Sequence, residues 1–315
     1  MRAAMLALCA WLSVANAQKI TPPAGAVPLQ PASFFRVAPT DWKLRDLRID
    51  GDGVWSLIQA PAGSFSIVRT SLAGHQSARV DFPAEERVLG VVSSNSGVAA
   101  MVVRNRKLSL DRFDRQGKTL GRTPLQCGSG DQLLLLDGEV ATVCPDGQIT
   151  RHLISQPPER YTSWARPGSL TEALRDRRLL IADRLTGKLL FNNLDTGALF
   201  SPSHSSPEIA QAVAHIDHVM KSADARPGEP PLARSLVVMD TATDGNSIGL
   251  LVWPFHPDFG VAVVVHAGDG SVAGRFVCPM PPALRDATPH KLEMNAKLLA
   301  IGVTGGEVVI YRYKE

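Results

Sequence analysis

Residues 178–200 read RLLIADRLTGKLLFNNLDTGALF. Two apolar runs each lead into a short polar turn ending in Thr-Gly: Asp183-Arg184-Leu185-Thr186-Gly187 and, ten residues on, Asp195-Thr196-Gly197. Runs this short cannot complete useful helices. They fit a strand–turn–strand meander, with Gly supplying positive φ and Asp bonding its own backbone at the turns.

The same rhythm extends outward in both directions. On the N-terminal side, apolar runs at 47–49, 54–59, 65–72 and 78–82 are separated by Gly51-Asp52-Gly53, Ala62-Gly63 and Ala73-Gly74. Runs at 88–92, 98–103, 108–113 and 119–124 repeat the layout, and a third unit covers 133–136, 140–143 and 149–154. Beyond the opening stretch, runs at 236–239, 248–253, 261–265 and 273–277 make a fifth unit, and 292–294, 298–301 and 308–313 a sixth. The second strands begin near Val54, Val98, Val140, Leu179, Ile248 and Leu298, about forty residues apart except across one insertion. A period of roughly forty residues per four-stranded unit is that of a propeller blade. The fold class expected is all-β, a β-propeller of six four-stranded blades. The sixth unit lacks a fourth strand, and the strand-like Phe34-Phe35-Arg36-Val37 offers one, closing the ring and hiding a sheet edge.

Two interruptions break the rhythm, at 156–177 and 201–234. In the first, Ser169-Leu170-Thr171-Glu172 has the pattern of a capping box and predicts a helix of one or two turns. In the second, Ser206-Pro207-Glu208 reads as a helix start. Ile209, Val213, Ile216 and Met220 then fall on one helical stripe, predicting an amphipathic insertion over 206–230 between blades four and five. Loops on a rigid ring carry function more often than its strands, so these interruptions and the central channel are where a site is expected.

The N-terminus reads as a processing signal: Arg2, an apolar run over 3–14 and Ala15-Asn16-Ala17 predict cleavage after Ala17. Lipidation at Cys9 is disfavoured by the bulk of Leu8. The domains expected are a signal peptide at 1–17, a Pro-rich leader at 18–43 and the propeller at 44–315. The protein is therefore expected to be exported, to the periplasm or the medium, with no transmembrane segment in the mature chain. The formal charge is +3, falling to +2 without Arg2, and basic residues are scattered. Nucleic acid is excluded as an expected partner. Export permits a Cys127–Cys144 disulfide across a short hairpin, with buried free thiols the equal alternative.

Residues 182–191, ADRLTGKLLF, resemble the repeat of secreted six-bladed propellers of the pyrroloquinoline-quinone-type and NHL-like groups, in which an Asp, a Thr-Gly turn and an apolar strand recur. The quinone-type repeat ends in a tryptophan that locks blade to blade. Phe191 and Phe200 stand there instead, so the resemblance implies the scaffold, and neither cofactor nor catalytic residue is carried over.

Other chemistry is thinly signalled. Gly245-Asn246-Ser247-Ile248-Gly249 matches G-x-S-x-G, with Asp286 and His290 downstream, but a nucleophile elbow requires a helix after the serine and a strand pattern follows. The segment is read as a hairpin turn. His215 and His218, at i and i+3 on the expected helix, with His204 upstream, are weak ligand-binding candidates, and no metal motif accompanies them. Asp50, Asp52, Asp240, Asp244 and Asp269 are assigned to turn chemistry, since no calcium loop frames them. No metal or cofactor is expected, and no motif identifies a catalytic residue. The reading that follows is a binding module for an unknown protein or small molecule. The alternatives are a propeller hydrolase, lactonase or lyase with polar groups around the channel, and a purely structural envelope component.

Overall fold

In the computed structural model the described residues are 25–94, 96–125, 132–144, 146–153, 157–166, 168–202, 210, 237–256, 259–284 and 288–314; at 253–256 and 259 only the backbone is described. Six sheets follow one another along the chain. Two short strands come first, β1 (Val27–Pro28) and β2 (Pro31–Arg36). Blade one is β3 (Lys43–Asp50), β4 (Gly53–Gln59), β5 (Phe65–Ser71) and β6 (Gln76–Asp81). Blade two is β7 (Arg87–Ser94), β8 (Gly97–Arg104), β9 (Lys107–Asp114) and β10 (Thr119–Pro124). Blade three is β11 (Gln132–Leu136), β12 (Glu139–Val143), β13 (Gln148–Arg151) and β14 (Glu159–Thr162). Blade four is β15 (Leu170–Leu174), β16 (Arg178–Ala182), β17 (Leu189–Asn193) and β18 (Leu199–Phe200). Blade five is β19 (Val238–Thr243), β20 (Ser247–His256), β21 (Phe259–His266) and β22 (Val272–Pro279). Blade six is β23 (Pro289–Met294), β24 (Leu298–Val303) and β25 (Glu307–Arg312), and its outer strand is β2. The strand-like piece at 34–37 sits in β2, antiparallel to β25 with Phe35 opposite Val308. β1 adds a second tie: it runs parallel to β22 on the outside of blade five.

The first strand of each blade is innermost, and each of these six strands touches the next around the ring. The core is correspondingly divided into six clusters, one at each blade interface. This explains the continuous apolar runs of the opening stretch. Leu179 and Ile181 of β16 pack toward blade three, while Leu180 and Ala182 pack toward blade five. A strand covered on both faces has no polar side to show.

The Thr-Gly turns repeat atom for atom. The Asp183 carboxylate accepts the amides of Leu185 (2.8 Å) and Thr186 (2.9 Å), and the Gly187 amide returns to the Asp183 carbonyl (2.8 Å). Ten residues on, the Asn193 side chain accepts the amides of Asp195 (3.0 Å) and Thr196 (2.9 Å), and Gly197 returns to the Asn193 carbonyl (2.9 Å). The residue equivalent to Asp183 is thus Asn193, not Asp195.

Two expectations are corrected. Residues 170–174 are strand β15, not a helix: Ser169 closes a turn on Arg166, its hydroxyl donating to the Arg166 carbonyl (2.7 Å), and Glu172 does not reach back to cap anything. A capping box requires its Glu near the serine amide. Here alternate residues of β15 must serve two neighbouring blades, and that packing overrides the local pattern. Second, the first interruption is ordinary blade structure, since it contains β14 and β15. The amphipathic helix expected over 206–230 lies outside the described residues apart from Ala210, which is helical. Apart from Ala210, no described residue is α-helical; η1 (Pro282–Leu284) is a short 3-10 turn.

One glycine sets a hairpin. Gly97, at φ 144°, starts β8, and a Cβ there would lie 2.7 Å from the Asp114 carbonyl carbon. Gly97→Ala combines a left-handed backbone with a backbone collision and is expected to cost about 2–3 kcal/mol, read as a lowered urea midpoint at unchanged m.

Candidate functional site in the central channel

A cavity of about 360 Å3 is lined from all six inner strands: Arg48 of β3, Ser93 of β7, Leu134 of β11, Glu172 of β15, Thr243 of β19 and Glu293 of β23 all face it. It is therefore the central channel. Asp137 and Gly138, Arg175, and Asp244 and Gly245 also line it. These belong to the turns that follow β11, β15 and β19, so the mouth opens on the face where the inner strands turn back.

The inner strands are clamped to one another by side chains from alternate blades. The Val91 amide donates to Asp46 (3.0 Å), the Thr171 amide to Gln132 (2.8 Å) and the Leu292 amide to Asp240 (3.0 Å). Each clamp joins an odd blade to the next even one. Asp46 and Asp240 follow register shifts in β3 and β19, at 44–46 and 238–240. A bulge re-aims the side chain after it, here from the sheet toward the neighbouring strand.

Between these clamps lies a charged cluster. Arg48 pairs with Glu293 (3.1 Å) and Asp46 (3.5 Å), and donates to the carbonyls of Val91 and Leu47 (both 3.1 Å). Lys291 stands 3.7 Å from Asp240 and 4.0 Å from Asp46. Glu172 accepts the Thr241 hydroxyl (3.0 Å). Burial raises the Glu172 carboxyl to about 7 against the pull of Arg48, with Asp240 and Asp46 adding to the rise. Burial likewise raises Glu293 to about 8, again opposed by Arg48 and assisted by Glu172 and Asp46. Burial draws Arg48 down, but Asp46, Glu293, Glu172 and Asp240 together hold it above its ordinary value. The arrangement offers two carboxylic acids within the field of one guanidinium, each able to change charge near neutrality.

The sequence marks none of these as site residues, and the turn role it suggests for Asp240 does not hold. Asp240 clamps blade six, and Asp50 is also no turn residue. It is buried and accepts from Trp55 Nε1 (3.2 Å), Arg69 Nε (3.2 Å) and Arg115 (3.1 Å), tying blade one to a turn of blade two. Turn chemistry does hold for Asp244, whose carboxylate caps Asn246 and Ser247, and for Asp269, which caps Ser271; Asp52 pairs with Arg69 (2.6 Å). The signal available in sequence was charge at period two inside first strands, Asp46-x-Arg48 and Lys291-x-Glu293, where one face of a propeller strand would otherwise be apolar.

The G-x-S-x-G segment is the β19–β20 turn: the Asp244 amide donates to the Ser247 carbonyl (3.2 Å), and Ser247 opens a strand. His290 bonds the Leu44 carbonyl through Nε2 (2.9 Å); Asp286 lies outside the described residues. His204, His215 and His218 lie outside them as well. Cys144 is disulfide-bonded, Cys278 is a buried free thiol, and the expected partner Cys127 lies outside the described residues. Among the described residues no three His, Cys, Asp or Glu side chains gather in a metal-binding arrangement, and no helix is long and apolar enough to cross a membrane.

No protein-family model and no curated protein sequence matches the chain. Solved structures do match it. The WD40 repeats of RRP9 superpose at TM-score 0.60 with 13% identity, over 90% of this chain and 99% of that one. A chain of the mitotic checkpoint complex does so at 0.55 and 10%, over 95% and 99%. A catalytically inactive virginiamycin B lyase from Staphylococcus aureus, with quinupristin, does so at 0.50 and 11%, over 90% and 99%. At such identities the likeness extends to the fold and no further: the chain is a β-propeller.

Proposed function

We propose that this chain is an exported binding module that takes its ligand at the mouth of the central channel, on the face carrying Asp137, Arg175 and Asp244. The observation that carries the reading is the channel itself. A cavity of mixed polar and apolar lining is walled by all six blades and rimmed by the turns of three of them, the kind of concave, preformed site in which small ligands and side chains are held. Export rests on the N-terminal signal pattern. The Thr-Gly turns of blade four support kinship with the quinone-type and NHL-like repeats. A chain of the mitotic checkpoint complex and a lyase both occur among proteins of this shape, so shape does not separate binding from catalysis. The two acids around Arg48 are the specific feature that favours the second reading, a lyase or hydrolase working by proton transfer.

The test is capture of ligands by the mature protein from its own envelope or culture medium, compared with Arg175→Trp. Arg175 is exposed at the mouth, so the indole obstructs entry without disturbing the core. We expect unchanged thermal unfolding and at least tenfold less captured ligand. Equal capture by both proteins would move the binding site off the channel.

A further inference from the structure

The channel contains a carboxyl, Glu172, that feels Arg48 but has no cation in contact with it among the described residues. Among the described residues, four carboxyls, Asp46, Glu172, Asp240 and Glu293, have between them two cations within 4.0 Å, Arg48 and Lys291, while Arg184 acts on Asp240 from farther away. Both cations are already divided: Arg48 serves Glu293, Asp46 and two backbone carbonyls, and Lys291 lies between Asp240 and Asp46. Asp46 and Asp240 each also accept an amide from the next blade. Glu172 differs from the other three. Among the described residues its one hydrogen bond comes from Thr241, and no Lys or Arg nitrogen lies within 4.0 Å of it, although it faces the cavity.

We infer that the channel is a binding site for a small organic cation, a primary amine or guanidine, whose charged head sits against Glu172 on the cavity side, with Glu293 lining the same cavity. The inference rests on the binding reading above and names its ligand class. Three features select that class. The surplus of carboxyls over cations calls for positive charge. The acceptors are spread around a ring rather than converging on a point, which suits several N–H bonds better than a bare metal ion. The rest of the wall is apolar at Leu134 and Leu174, matching a short hydrocarbon body, and about 360 Å3 lies at the small end of ligand pockets, room for a molecule of modest size.

The charge arithmetic has a second consequence. Burial lifts Glu172 and Glu293 to about 7 and about 8, so near neutrality these two acids hold protons that a bound cation can displace. A bound cation takes the place of a proton, so binding and deprotonation of the glutamates are coupled. Affinity rises with pH across the interval in which these acids titrate, about 7 to 8.

Isothermal titration calorimetry of the mature protein with 1,4-diaminobutane and with agmatine tests this, with 1,4-butanediol as the uncharged counterpart. Saturable one-to-one binding of at least one amine is expected. It should be about tenfold tighter at pH 8.5 than at pH 6.5 and accompanied by proton release, seen by varying the buffer's ionisation enthalpy. Glu172→Gln keeps the acceptor for Thr241 and removes the charge; it should weaken binding at least tenfold, and Glu293→Gln provides a second variant should the first unfold. Butanediol should not bind. Binding of the diol as tightly as the amines, indifference to both variants, or failure of both amines would overturn the inference. Failure of the amines with capture still blocked by Arg175→Trp would leave the binding reading standing and remove only the ligand class.

Discussion

A chain that starts at residue 37, and so lacks β1 and β2, is expected to lose the closed ring: no cooperative unfolding above ambient temperature and, by size-exclusion chromatography, aggregates in place of a monomer. β2 supplies the fourth strand of blade six, and without it the whole length of β25 becomes an open edge. The lost contacts include Leu29 and Phe35, both buried, from two different interface clusters. At about 1.5–3 kcal/mol for each large apolar side chain, the two together approach the low end of a domain's total stability of about 5–15 kcal/mol. The deletion also strands Glu307, which is almost fully buried and pairs with Arg36; an unpartnered buried carboxylate costs a further few kcal/mol, about 3–5. β1 adds a parallel tie to β22, with the Leu29 amide on the Val277 carbonyl (2.8 Å), so the same segment fastens blade five as well as blade six. A peptide of residues 25–38 added in trans should restore part of the transition, because the missing piece is a strand with a prepared edge. Full cooperative unfolding of the shortened chain without the peptide would show that closure does not depend on this strand.

How much of this was legible beforehand follows from the physics of each element. The hairpin rhythm was legible because turn chemistry is local: Asp183, Asn193 and their glycines bond within five residues of themselves. β15 was not, because nothing local distinguishes Ser169-Leu170-Thr171-Glu172 from a helix start. Its strand state is imposed by Gln132 of the preceding blade, whose side chain accepts the Thr171 amide from 39 residues away. The channel was illegible for the same reason. Arg48 and Glu293 are 245 residues apart in sequence and 3.1 Å apart in space, and only ring closure brings the first blade against the last. Asp50 shows the limit of composition arguments: an Asp beside Gly51-Asp52-Gly53 has every appearance of a turn residue, yet Trp55, Arg69 and Arg115 converge on it from two blades.

The second large effect concerns Arg48 and is pH-dependent. Glu172 and Glu293 move from an ordinary value of 4.5 to about 7 and about 8 on folding. The folded chain therefore binds more protons than the unfolded chain between those limits. Stability consequently falls with rising pH there: the contribution of these acids is fully present below about pH 4.5 and is lost as pH passes through 7 and 8. His152 acts in the opposite direction at lower pH. Burial, with Arg112 nearby, lowers it from 6.5 to about 4, so its contribution grows as pH rises from 4 to 6.5. Above pH 6.5 the glutamates dominate, and the native protein should lose about 2 kcal/mol between pH 6.5 and 8 in urea titrations. The double variant Glu172→Gln/Glu293→Gln should flatten that slope; a slope that survived in it would place the titration elsewhere. Arg48→Met keeps the volume and removes the guanidinium that serves Glu293 and Asp46. Buried carboxylates left without their cation cost about 3–5 kcal/mol, and that loss should appear in full at pH 8. At pH 6 the glutamates take up protons in place of the missing charge, so the same variant should lose markedly less. A loss equal at both pH values would mean that Arg48 acts through packing alone, and that the channel's acids do not answer to its charge.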